Sequence, residues 1–136
     1  MIFIDTNYLL RFLRDDIPEQ SKVVKALFLS ASGGEKKLFT STVVFFEIFW
    51  VMKSVYGQEK ERIVDLLRKV LSLNFIDIAD REILWNSLEL FGKTSLELED
   101  CYNIAFAKEH RMMSFATFDK NVQKTLKRLE KWPAVR

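Results

Sequence analysis

Apolar and polar residues follow one another in short blocks whose spacing alternates between two periods. Ile2, Phe3 and Ile4 form a continuous apolar run that stops at Asp5-Thr6-Asn7, the signature of a strand buried on both faces, as in parallel sheets. Asp16 and Pro18 then open a predicted helix with Val23, Val24, Leu27, Phe28 and Ala31 at helical spacing, closed by Gly33-Gly34. Leu38 to Thr40 reads as a second strand. Ser41 or Thr42 caps a helix through Glu47 and Trp50 to about Tyr56, where Gly57 stops it. A further helix carries Ile63, Leu66, Leu67, Val70 and Leu71 on one stripe. Phe75, Ile76 and Ile78 predict a third strand, and Asp80 caps a helix through Leu84 and Leu88 to Gly92.

Thr94-Ser95-Leu96-Glu97 has the spacing of a capping box, placing a helix start just before Asp100 and its end near His110. Met112 to Thr117 predicts a fourth strand, Asp119 and Asn121 lead into a last helix with Val122, Leu126 and Leu129, and Trp132 to Val135 is a candidate edge strand. Strands alternating with helices imply right-handed crossovers and a parallel sheet covered on both faces. The expected architecture is a three-layer α/β/α fold in one domain over residues 1–136.

Composition narrows the chemistry. The 136 residues include 12 Phe, 3 Trp and 3 Tyr, enough apolar area to exclude a disordered bulk state. With one cysteine, Cys101, and one histidine, His110, internal disulfides, multi-thiolate zinc sites and multi-imidazole sites are all excluded. No apolar run approaches the roughly 18 residues that span a bilayer, and the start lacks a basic leader, so a cytoplasmic protein is expected. Twenty-one basic residues against 19 acidic leave a formal charge of +2, which by itself neither demands nor forbids a nucleic-acid partner.

Carboxylates are what remain for chemistry. In open parallel sheets ligands bind at the carboxyl ends of the strands, where the strand order reverses. Asp5 ends the first predicted strand and Asp119 lies just past the fourth; Glu47 sits in the helix after strand two and Asp100 in the first turn of the helix feeding strand four. Convergent carboxylates repel one another unless a cation sits among them, and hard oxygen donors favour Mg²⁺ or Mn²⁺. Phosphodiester hydrolysis is the natural chemistry of such a centre.

These blocks carry a resemblance. Ile4-Asp5-Thr6-Asn7, Phe46-Glu47-Ile48, Glu99-Asp100-Cys101-Tyr102 and Thr117-Phe118-Asp119-Lys120-Asn121 resemble the motif blocks of PIN domains, most closely the small ribonucleases of VapC type, the toxins of toxin–antitoxin pairs. The resemblance implies a sheet of about five parallel strands, Mg²⁺- or Mn²⁺-dependent endonuclease action on RNA, homodimerisation, and inhibition by a small antitoxin protein. It carries over Asp5, Glu47, Asp100 and Asp119 as the acidic quartet, with Asn7 and Thr117 as supporting polar groups. Asn121 stands where many relatives have a second acidic residue, and Cys101-Tyr102-Asn103 replaces the usual small apolar residues after Asp100.

Each position also has a bland reading. Asp5 and Asp119 suit a turn and an N-cap, and Asp100 the positive end of a helix dipole; Glu47, expected to be buried by its apolar neighbours from Val43 to Trp50 and so to need a metal or a partner, suits an ion pair with Lys53 or another basic residue. Glu97 is either a substitute ligand or part of the capping box. Asn7 and Thr117 are ordinary turn formers, His110 is a cation at a helix end, and Cys101 is a small buried residue. From Lys120 onward six basic residues face Glu130 alone, so Lys120 and Lys124 either line a solvated face or hold an RNA backbone. Phe49 and Trp50 are candidates for a dimer or antitoxin surface. Two other functions compete with the nuclease. One is a catalytically inactive PIN-like module binding RNA or protein. The other is a receiver-like phosphoacceptor domain, disfavoured because no acidic residue precedes Asp5.

Overall fold

The computed structural model describes residues 1–130, whose contacts divide the chain into two compact units, Met1–Arg81 and Glu82–Arg136. The first unit runs β1 (Ile2–Phe3), α1 (Thr6–Arg14), α2 (Pro18–Ser32), β2 (Leu38–Thr40), α3 (Thr42–Ser54), α4 (Lys60–Leu71) and β3 (Ile76–Ile78). Its three strands are parallel in the order β1-β2-β3, with Leu38 registered between Ile2 and Ile76. Each crossover is a pair of helices, the connection parallel strands require. The second unit holds α5 (Arg81–Lys93, whose first residue belongs to the first unit), α6 (Leu98–Glu109) and α7 (Lys120–Glu130). The mixed α/β class with a parallel sheet is therefore as expected.

Strand ends and helix starts are stitched together by polar groups. In β1–β2 the Ile4 amide donates to the Phe39 carbonyl at 2.8 Å, and the buried Thr40 hydroxyl donates back to the Ile4 carbonyl at 2.7 Å. Ser41 caps α3 by accepting from the Val44 amide at 3.3 Å. The Arg81 guanidinium donates to the carbonyls of Leu71, Leu73 and Ile76, which satisfies the end of α4 and the turn into β3. Desolvation there holds its pKa below the usual arginine value. Phe45, Ile48, Phe49 and Met52 of α3 are almost fully buried with Leu67, Leu71, Ile76 and Leu9.

Several expectations are corrected. Thr6–Arg14, a stretch to which the spacing assigns no element, is a helix, and its Leu9 and Leu10 are core residues. β1 lies at an edge of its sheet and is not buried on both faces, since only Ile4 of its apolar run is covered. Three strands are present among the described residues, against about five expected. The stretch from Met112 to Thr117 forms no strand. A strand needs a ladder partner for its backbone, and the described part of its own unit is otherwise helical. Met113, fully exposed, lacks the covering that a sheet position has. The candidate strand Trp132 to Val135 lies outside the described residues. Thr94 does not cap α6: its hydroxyl donates to the Leu90 carbonyl at 2.8 Å and accepts from the Leu96 amide, leaving Glu97 at the N-cap position. Phe49 belongs to the core, whereas Trp50 is exposed.

Candidate active site

The sequence-predicted carboxylates fall into two pairs, one in each unit. In the first unit Asp5 follows β1 and caps α1: its Oδ1 accepts from the Thr6 amide at 2.8 Å, and the Tyr8 amide bonds to its carbonyl. Asp is a preferred residue here because its side chain satisfies an amide that the helix leaves open. Glu47 lies one and a half turns into α3. The expectation that apolar neighbours bury it is overturned, for it is exposed on a face shared with Val43 and Trp50. Its Oε2 accepts from the Thr6 hydroxyl at 3.2 Å. The Lys53 ammonium sits 5.7 Å from the centre of the Phe49 ring. Thr6, which the motif reading passed over, thus holds both carboxylates of this pair, Asp5 through its amide and Glu47 through its hydroxyl. A signal was present: a hydroxyl residue directly after a strand-end aspartate, at the first position of a helix.

Asn7 is exposed on the next step of α1. With Tyr8, Arg11, Ile17, Gln20 and Val23 it lines a mostly apolar cavity of about 600 Å³. Arg11 donates to Asp16 at 2.6 Å on its rim.

The second pair has a different character. Asp100, partly buried in the first turn of α6, has its carboxyl pushed above the usual carboxylate range, first by desolvation and then by the charges of Asp119, Glu99 and Glu97. Asp119 caps α7, its Oδ1 accepting from the Val122 amide at 3.0 Å. Thr117 supports that cap: its hydroxyl accepts from the Asp119 amide at 3.0 Å, while its carbonyl accepts from Gln123 Nε2 at 2.8 Å. Glu99 Oε1 is buried with no hydrogen-bond partner among the described residues. Lys120 and Lys124 are exposed one turn apart on α7. Cys101 is a buried thiol whose Sγ lies 3.9 Å from the Thr94 hydroxyl, and His110 ends α6 with its ring stacked on Phe106 at 4.1 Å.

The donors fit a hard divalent cation in kind. They are carboxylates throughout, and Asp100 is disfavoured from ionising first by desolvation and then by the neighbouring charges of Asp119, Glu99 and Glu97. An orphaned carboxylate oxygen in the same cluster is a further unmet demand for a cation or donor. Each unit brings only a pair of the predicted ligands, and among the described residues no group of three or more His, Cys, Asp or Glu side chains forms a ready metal cage.

Among known proteins, the family model described as the PIN domain matches residues 2–128, a span that includes all four acidic positions. PIN domains are generally metal-dependent nucleases that use divalent ions. No curated protein matches the chain.

Proposed function

Because the chain belongs to the PIN domain family, we propose that it is an endoribonuclease that hydrolyses RNA phosphodiester bonds, and that it acts as the toxin of a toxin–antitoxin pair. The observation carrying the nuclease reading is the family match across residues 2–128, which takes in Asp5, Glu47, Asp100 and Asp119 in order. Those four carboxylates are the proposed ligands of Mg²⁺ or Mn²⁺ within a single domain over residues 1–136. When bound, such an ion lowers the pKa of water and stabilises charge on a phosphoryl oxygen during in-line attack.

The chain's own groups do the positioning. Caps fix Asp5 and Asp119 at helix starts, each accepting from a backbone amide of its own helix. Asn7 and Thr117 orient groups beside them, Thr117 through its bond to the Asp119 amide. Lys120 and Lys124, exposed on the helix that Asp119 caps, suit contacts to the RNA backbone. The apolar cavity beside Asn7 and Tyr8 favours a helical segment of an antitoxin as occupant, since such grooves take the apolar face of an amphipathic helix. The exposed Val43 and Trp50 of α3 suit a homodimer contact. Among the described residues no helix is long and apolar enough to cross a membrane, and the proposed compartment is the cytoplasm.

The test is cleavage of RNA by the purified protein in Mg²⁺ or Mn²⁺. Activity that excess EDTA abolishes, and that growth arrest on induction mirrors, is the expected result. Equal cleavage in EDTA overturns the metal reading, and RNA binding with no cleavage under any divalent ion favours the inactive binding module.

A further inference from the structure

We infer that Thr6 is a positioning residue for the metal site, acting through Glu47; the inference rests on the proposed role of Glu47 as a ligand. Glu47 is exposed, and an exposed glutamate on a helix samples several rotamers, at a side-chain entropy cost of up to about 2 kcal/mol when one is fixed. A partner fixed on another element limits that sampling. Thr6 is such a partner: it is 6% exposed, it is the first residue of α1, and its hydroxyl reaches Glu47 Oε2 on α3 at 3.2 Å.

A threonine hydroxyl has one proton to donate, and here it goes to the carboxylate. The Thr6 amide meanwhile donates to Asp5 at 2.8 Å, a bond that any residue except proline keeps at this position because it belongs to the backbone. The side chain therefore adds one thing, the aim of Glu47 relative to Asp5. Partners of this kind orient ligating carboxylates, and their loss typically costs about 10–100-fold in metal affinity or activity. Serine keeps the donor, whereas valine keeps the shape and the β-branch without it.

The experiment measures Mn²⁺ binding by calorimetric titration to the full-length protein, with the melting temperature recorded for each variant. Thr6→Val is expected to weaken Mn²⁺ binding by about 10–100-fold, while Thr6→Ser retains the wild-type affinity. In a Glu47→Ala background, adding Thr6→Val is expected to change nothing further. A lowered melting temperature with unchanged Mn²⁺ affinity, or the same loss in both backgrounds, overturns the inference and leaves the metal reading standing. Where Thr6→Val does not fold, Thr6→Ala takes its place against the same two outcomes. Wild-type protein that binds no Mn²⁺ overturns the metal reading and this inference with it.

Discussion

The two carboxylate pairs sit at comparable places, a strand-end or loop aspartate that caps a helix and an acidic residue on a helix, yet their surroundings differ. Asp5 and Glu47 accept from the amide and hydroxyl of one neutral residue, Thr6. Asp100 and Asp119 stand among Glu97 and Glu99, and the charges of these three lift the Asp100 pKa after its desolvation has done so. Neutral donors orient a carboxylate at little electrostatic cost, whereas like charges close together destabilise the folded chain until a cation relieves them. The first pair is tied together by the hydrogen bonds of one residue, whereas in the second like charges stand around Asp100, an arrangement that a bound cation would relieve.

Substituting across the two pairs tests the comparison. The largest effect is on activity: Asp5→Asn and Asp119→Asn each lower RNA cleavage by about a thousandfold, since an ion's stabilisation of transition-state charge is worth several kcal/mol. Circular dichroism of both variants stays native, because Asn caps helices about as well as Asp. Cleavage retained by either variant removes that residue from the site. Next comes Arg81→Ala, which removes the guanidinium from the carbonyls of Leu71, Leu73 and Ile76, Leu73 keeping the Ile76 amide at 3.2 Å, and destabilises the fold by about 1–3 kcal/mol in urea unfolding.

Capping sharpens the contrast further. Ser41→Ala, at the start of the helix carrying Glu47, costs about 1 kcal/mol. Asp119→Ala loses an equivalent cap but also removes a charge that opposes Asp100, so in metal-free protein its cost is smaller than that of Ser41→Ala. An equal or larger cost breaks the comparison.

The smallest effect is the pH dependence of the metal-free protein. The folded pKa of Asp100 is raised, so the native state binds more protons than the unfolded one just above the ordinary aspartate range, and stability falls as pH rises through that window. Asp100→Asn removes this loss and gives a higher melting temperature at pH 7 but not at pH 3. Asp15 and Asp16 have the reverse sign. Hydrogen bonds from Lys25 and Arg14 lower their pKa values, and their contribution is lost as pH falls below the ordinary aspartate range. Denaturation followed from pH 3 to 7 in the wild type and Asp100→Asn checks both signs.

Much of this was readable from residue spacing, because burial and capping act locally. The helices carrying Val24, Glu47, Leu67 and Leu84 and the strands at Leu38 and Ile76 lie close to where periodicity puts them. The start of the chain was misread because Asp5-Thr6-Asn7 has the composition of a turn, though Leu9, Leu10 and Leu13 with Arg11 and Arg14 in the last turn mark a short helix. Glu47 looked enclosed because linear neighbours such as Phe46 and Ile48 are apolar, but a helix turns by about 100° per residue and presents Glu47 on its outer side. The role of Thr6 needs α1 and α3 side by side, a contact that no local pattern encodes.

The bonds at Ile4 fix more than a strand end. Its amide and carbonyl are both taken by β2, so the distance along the chain from Ile4 to Thr6 is a ruler with no slack. One residue inserted between Ile4 and Asp5 shifts both Asp5 and Thr6 by about 3.3 Å, more than their hydrogen bonds span in tolerance. At the opposite end of the same two strands, Gly33 to Lys37 forms an exposed turn with Gly34 at φ +87°, where an added residue only lengthens a loop. Length variants of this chain are therefore expected to accumulate at one end of the β1–β2 pair and to be lethal to function at the other.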